Sequence, residues 1–452
     1  MRDALRTQLW PLPALGVVLA VAAGVGLPRL DMRIPYEDRP ALAEYLFEGG
    51  PAAARAVLEA IAGSLISVTA LTFSLTVVTL QLASSQFSPR LLRTFNQDRY
   101  VQTTLALFLA TFTYTLTVLR TVRTEAAGQR MFVPQMSVTL AFVLALASVF
   151  ALVVFLSHLA SKIRVEIMLR DVHAGADATV RRLLKESGSD SGSGSGSGSG
   201  AAERAAVPRP PSGALPLPAG ASGFLAAVNE KKLFAAAVEA DAVVLIDRCA
   251  GSSLIAGTPA GAVWPLTGEP FAPDTRHRLI ERTAAALATG SERTPEQDVA
   301  FGLRQLTDVA VKALSPGIND PTTAVHALSH SSALLCELAR RDLSPRLLRD
   351  GHGHVRVVLR RPTLAELLHL AVAQPLRHGA AEPAVLARLC MLLRELAWHS
   401  TPEQRPAVVG HLERVRAAVA ALELHPDDRA DLADLADSVD QALTGHWLPA
   451  AP

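Results

Sequence analysis

The residues best placed to do chemistry are few, and their densest group is Ser315-Pro-Gly-Ile-Asn-Asp-Pro321. Pro316 and Gly317 set a tight turn there, Asn319 tolerates left-handed backbone angles, and Asp320 can cap a helix opening at Pro321. The free amides of such a helix start, with Ser315 and Asn319 beside them, could hold an anion or a phosphate. The Asp320 carboxylate would itself occupy that positive end. A structural helix–helix corner and a ligand or interface loop built from Ser315, Gly317, Asn319 and Asp320 are therefore both open. His326 and His330 stand four apart on one helical face, as zinc ligands can, with His352 and His354 further along. Position 327 is alanine, so there is no HExxH protease helix, and exposed or satisfied histidines are the default reading. Cys249, Cys336 and Cys390 are widely spaced and form no CxxC pair, which argues against a structural zinc site or a disulfide framework. A reducing, cytoplasmic setting fits that half of the chain. No GxSxG, P-loop or GxGxxG lies between a strand and a helix. No catalytic residue, metal or cofactor is assigned, and the chain is read as a non-enzyme.

The other chemistry is hydroxylic. No charged residue occurs between Glu59 and Arg90, a run longer than the ~20 apolar residues that cross a bilayer core. Within it Ser67, Ser74, Gln81 and Ser88 recur every seventh residue, as do Thr69 with Thr76, and Thr72 with Thr79 and Gln86. At about 100° per residue the threonines share one face of a helix and the Ser/Gln row lies nearly opposite. Ser67, Thr69, Thr72, Ser74, Thr76, Thr79, Gln81 and Gln86 are thus the candidate pore or interface residues. Two readings stay open. In one, the hydroxyls bond back to their own i−4 carbonyls and merely tolerate the membrane. Alternatively, one stripe packs within the protomer and the other lines a subunit interface or a wet pathway. A seven-residue repeat suits a left-handed bundle.

These residues must be positioned by a membrane bundle and a water-exposed domain. The chain has 452 residues, 50% of them hydrophobic, and a mean hydropathy of +0.27, with the apolar excess before residue 160. That is too apolar for an ordinary soluble enzyme, and a net charge of +1 gives no field that would draw nucleic acid. Arg6 and Arg29 bracket an uncharged run that reads as a signal peptide or an uncleaved first span. The second is favoured, because the charge pattern works only if that run stays. The third span is expected over Tyr100–Leu119 and the fourth over Met131–Leu156, aliphatic with Phe142, Phe150 and Phe155. About eleven Lys and Arg flank one side of the spans and seven the other, which puts the N-terminus and everything after His158 in the cytoplasm. No Asp, Glu, Lys or Arg falls within the expected spans, against proton- or charge-coupled transport. Ser88-Pro-Arg90 with Leu91, Leu92, Arg93 and Phe95 reads as an amphipathic surface helix or a plain positive flank.

The expected organisation is a four-helix transmembrane domain over 1–165, a juxtamembrane helix over 166–186, a Ser/Gly/Pro linker over 187–222 and a cytoplasmic α+β domain over 223–452. The linker SGSDSGSGSGSGSG, extended by a proline-rich run to Pro218, is too polar to order itself. A helix-like stretch is expected from Gly223, then a small β module of two strands around Gly251. A helix capped by Thr294 with Pro295 and Gln297 follows, then the helix at Pro321, a strand in HVRVVLR and three more helices. The fold class is a membrane α-helical domain of four transmembrane helices followed by a mostly helical α+β domain with a small β module.

QLASSQFSPRLL after the second span, RTPEQDVAFGLRQLTDVAVKALSPGINDPTTA and AGTPAGAVWP together resemble a bacterial family of predicted membrane proteins, domain of unknown function 2254. The resemblance implies four N-terminal spans and a cytoplasmic C-terminal domain, and no particular activity. The physical reading adds a homo-oligomer in the lipid bilayer that forms a gated pore, with a cytoplasmic sensing or assembly domain. The alternative is a non-conducting scaffold or signalling protein whose soluble domain binds a ligand or partner.

Overall fold

A computed structural model describes residues 10–33, 47–86, 98–123, 132–162, 164–184 and 207–447. Two compact units divide the chain, Met1–Ile167 and Met168–Pro452. The Ser88–Phe95 stretch and the Ser/Gly linker lie outside the described residues.

The first unit holds four helices long and apolar enough to cross a membrane: α1 (Pro11–Asp31), α2 (Pro51–Gln86), α3 (Arg99–Leu119) and α4 (Gln135–Lys162). Prolines open α1 and α2, where a missing amide costs nothing, and Asp98 caps α3 by accepting from the Tyr100 amide. The third helix is the hub: half of its apolar window is buried, against 22–28% for the others. Its neighbour α1 approaches through Gly16, Ala20 and Gly24, small residues at four-residue spacing. A Cβ on Gly24 would stand 2.7 Å from that of Thr117. Leu58, Tyr114, Val118, Val138 and Ala141 fill the interior. Phe142 and Phe150 of α4 face outward, whereas Phe155 is buried. The first helix runs past Pro28 to Asp31, a residue only 4% exposed, so the bundle, expected to hold no acidic or basic residue, buries an acidic side chain at a helix end.

The second unit takes in nearly all of α5 (Val165–Leu183), which packs with this domain as one of its own helices rather than as a separate juxtamembrane piece. It continues with β1 (Leu215–Pro218), β2 (Gly223–Val228), α6 (Glu230–Glu239), β3 (Ala242–Ile246), β4 (Ser253–Leu254), β5 (Pro259–Pro265), α7 (Pro273–Ala284) and β6 (Leu287–Gly290). Then come α8 (Phe301–Ala313), α9 (Pro321–Ala339), β7 (Arg346–Arg349), β8 (Val355–Leu359), α10 (Leu364–His378), α11 (Pro383–His399), α12 (Arg405–Ala420) and α13 (Pro426–Leu443). Five strands order as β1-β5-β3-β8-β7, parallel only between β3 and β8, and three more as β4-β2-β6. The HVRVVLR segment supplies β8, as its alternation predicts. The small β module is therefore two sheets, with its strands divided between them.

Three other expectations shift. The apolar residues after Gly223 pair as a strand with β6, and helix α6 starts only where Asn229 accepts from the Lys232 amide. The proline-rich end of the supposed linker forms β1 on β5, so the domain begins before residue 223. Thr294 caps no helix. Gln297 instead turns its amide to Val228, accepting from that residue's N–H (2.8 Å) and donating to its C=O (3.3 Å), and α8 begins at Phe301.

Helix α8 meets α5 at its closest through Gly302, where an added Cβ would lie 2.2 Å from that of Ala176. Gly317, by contrast, has open space around it. Gly302→Ala is expected to cost about 1–3 kcal/mol by overpacking, and Gly317→Ala less than about 0.5 kcal/mol, in denaturant unfolding of the C-terminal domain.

Candidate functional site

The hydroxyl rows of α2 face in different directions. Thr69, Thr72, Thr76 and Thr79 are buried, at 8, 2, 7 and 4% exposure, whereas Ser67, Ser74 and Gln81 are exposed on the opposite side. Each threonine donates to its own i−4 carbonyl: Thr69 to Leu65 (2.6 Å), Thr72 to Val68 (2.7 Å), Thr76 to Thr72 (2.8 Å) and Thr79 to Leu75 (2.8 Å). The threonine row therefore packs inside the protomer. Helix α3, against which α2 packs, adds buried Thr111 and Thr115, and Ser148 of α4 donates to Thr111 Oγ1 at 3.4 Å. Ser67 on the outer row also bonds back, to the Gly63 carbonyl at 3.1 Å. The side chain of Gln86 lies outside the described residues.

An aspartate side chain clasps each end of α4. At one, Asp31 accepts from the Met136 and Ser137 amides (both 3.2 Å) and from Ser137 Oγ (2.8 Å), so the carboxylate satisfies the open start of that helix. Tyr114 donates to the Ser137 carbonyl there. At the other, Asp98 Oδ2 lies 2.6 Å from His158 Nε2, with the Tyr100 ring 4.6 Å from the imidazole. Neither clasp was expected from the sequence. The available signal was an acid within two residues of the arginine that bounds an uncharged run: Asp31 beyond Arg29, and Asp98 before Arg99.

The Ser315–Pro321 segment is tied up by its own bonds. Asn319 is left-handed (φ 49°). The Asn319 amide donates to the Ser315 carbonyl and that of Asp320 to Ala313, both at 2.9 Å. Ser315 Oγ donates to the Lys312 carbonyl, and Asp320 accepts from the Thr323 amide (3.0 Å) and hydroxyl (2.6 Å). Those bonds occupy the positive helix end and make the segment a corner between α8 and α9. Gly317 is exposed, and a side chain added there would meet open space.

Comparison with known proteins adds the family. Residues 6–395 match the family described as predicted membrane protein (DUF2254). The chain belongs to this family. It is similar to the uncharacterized protein Rv1290c of Mycobacterium tuberculosis and the uncharacterized protein Mb1321c of Mycobacterium bovis. Each is 35% identical over 431 residues, which cover 95% of this chain and 79% of the relative. No solved structure matches.

The ring nearest His330 is that of His173 on α5, with centroids 5.3 Å apart; His352 and His354 pair with each other on the β7–β8 turn at 6.2 Å. Among the described residues no three His, Cys, Asp or Glu side chains converge as a preformed metal cage. Burial pushes the Cys249, Cys336 and Cys390 thiols up to about 11, which makes them poor nucleophiles.

The Thr323 hydroxyl, and after it the Thr323 amide, hold the Asp320 carboxyl below its ordinary range. The native chain then binds that proton less readily than the unfolded chain. The cap's contribution is full above about pH 4 and is lost as pH falls through the lowered value. Asp320→Ala is expected to cost about 1 kcal/mol at pH 7, with the gap to wild type narrowing in urea unfolding at pH 3.

Proposed function

We propose that this protein is a homo-oligomer of a bacterial inner membrane, with its N-terminus and C-terminal domain cytoplasmic. Copies meet through the outer row of α2, and that row borders a gated solute path. The C-terminal domain serves as the sensing or assembly module. The observation that carries this reading is the outward row itself. Ser67, Ser74 and Gln81 recur at seven-residue spacing on the exposed side of a helix whose threonines are already used inside. Against hydrocarbon, the polar amide of Gln81 would cost several kcal/mol by the usual transfer scales, roughly 2–7, whereas a second copy or a water file removes that cost. Exposed Ala60, Gly63 and Ala70 alternate with the row at three- and four-residue steps, so that a second helix could come close. The excess of Lys and Arg on one side supports the orientation.

A non-conducting scaffold assembled through the same face is the second reading. It is favoured by the bond from Ser67 to the Gly63 carbonyl, which lets the hydroxyl rest without water. Purified protein in lipid nanodiscs, weighed by native mass spectrometry, is expected to be oligomeric, and a monomer would count against both readings. In planar bilayers the wild type is expected to conduct under tension or osmotic change. Ser74→Leu with Gln81→Leu should lower that conductance at least tenfold. A silent wild-type oligomer would select the scaffold.

A further inference from the structure

Helix α5 begins within three residues of the end of α4 and carries the chain from the membrane unit into the C-terminal domain. Its apolar face, Met168, Leu169, Val172, Ala176 and Val180, is buried there. Polar bonds fix its end: Arg182 donates to the Glu296 carbonyl at 2.8 Å, and Arg361 to the Leu183 carbonyl at 3.0 Å. Along this seam one group of side chains has no structural role comparable to these. It consists of three imidazoles, His173 on α5 and His326 with His330 on α9.

The geometry resolves which ring nitrogen is free. His173 Nδ1 lies 3.3 Å from the His330 backbone carbonyl. A carbonyl can only accept, so Nδ1 carries the hydrogen and Nε2 keeps its lone pair. A backbone carbonyl holding one ring nitrogen is how metal-ligating histidines are commonly oriented. The His330 ring stands 5.3 Å away, tilted by 50°, and His326 lies one turn earlier on the same face of α9. Desolvation, and then the neighbouring His173 and His326, hold His330 below its ordinary value. Neutral imidazole is the ligating form.

We propose that His173 and His330 form a two-imidazole binding site for a borderline divalent cation (Zn²⁺, Ni²⁺ or Cu²⁺) that clamps α5 to α9. Imidazole donors suit those ions over Mg²⁺ or Ca²⁺, which take oxygen ligands. With two protein ligands in place, water fills the open positions, and His326 can supply a third by rotating about its side-chain bonds. The consequence is a metal-dependent lock on the one helix that joins the two units in sequence.

The test uses the untagged full-length protein, stripped of metal, in nanodiscs and titrated with Zn²⁺ by calorimetry. One saturable equivalent is expected. His173→Ala and His330→Ala should each weaken binding at least tenfold, and His352→Ala should leave it unchanged. Absence of saturable binding, or wild-type binding by His173→Ala, would overturn the proposal. Should the variants fail to fold, electron paramagnetic resonance of Cu²⁺ on the wild type decides instead. Coupling to two imidazole nitrogens supports the site, and coupling to one or none overturns it.

Discussion

A hydroxyl group inside a bilayer must find an acceptor, and the buried threonines of α2 each find it one turn back along their own helix. The bonds from Thr69, Thr72, Thr76 and Thr79 to i−4 carbonyls cost no partner elsewhere. They let a polar row sit in the interior while its methyl groups pack, so that α2 can press against α3 without leaving a buried donor open. Everything else about the membrane unit follows from that economy. The central helix carries its own row, Thr111 and Thr115, and its remaining side receives α1 through glycine and alanine. Where a helix end could not satisfy itself, a carboxylate does so, Asp31 for α4 and Asp98 for α3.

The two units meet the same demand by different means. In the membrane unit the backbone is satisfied within each helix, and acids cap the starts of α3 and α4. In the C-terminal domain satisfaction is long-range: Gln297 stands in for a strand neighbour, Arg361 and Arg182 bond to carbonyls on other elements, and β3 pairs in parallel with a strand more than a hundred residues away. Helix α5 belongs to this second regime although it directly follows the last membrane helix in sequence. Its close passage at Gly302 shows how tightly the domain holds it.

How much of this was legible depended on how local the cause was. The four spans, the α9 start at Pro321 with its Asp320 cap, the left-handed Asn319 and the strand in HVRVVLR all follow from composition or spacing within a few residues. The split of hydroxyl rows was visible as angular separation. Which row faced inward was not, because that depends on the partners α3 and α4. The strand β2 was mistaken for the start of a helix because FLAAV is apolar enough for either, and only its pairing with β6 decides. The proline-rich β1 was hidden by its own composition, since an edge strand tolerates proline and a linker does too. Thr294 misled for a related reason: the capping pattern is present, but Gln297 is claimed by Val228. His173 was invisible beside His330 because 157 residues separate them.

The account rests on α2 hiding its threonines within one protomer and offering Ser67, Ser74 and Gln81 to another. Cysteine scanning along α2 in native membranes, with a short thiol crosslinker, tests this most directly. Cysteines at 67, 74 and 81 should yield crosslinked dimers with a seven-residue rhythm, while those at 69, 72, 76 and 79 should yield none. Dimers from the threonine positions, or from neither row, would contradict it.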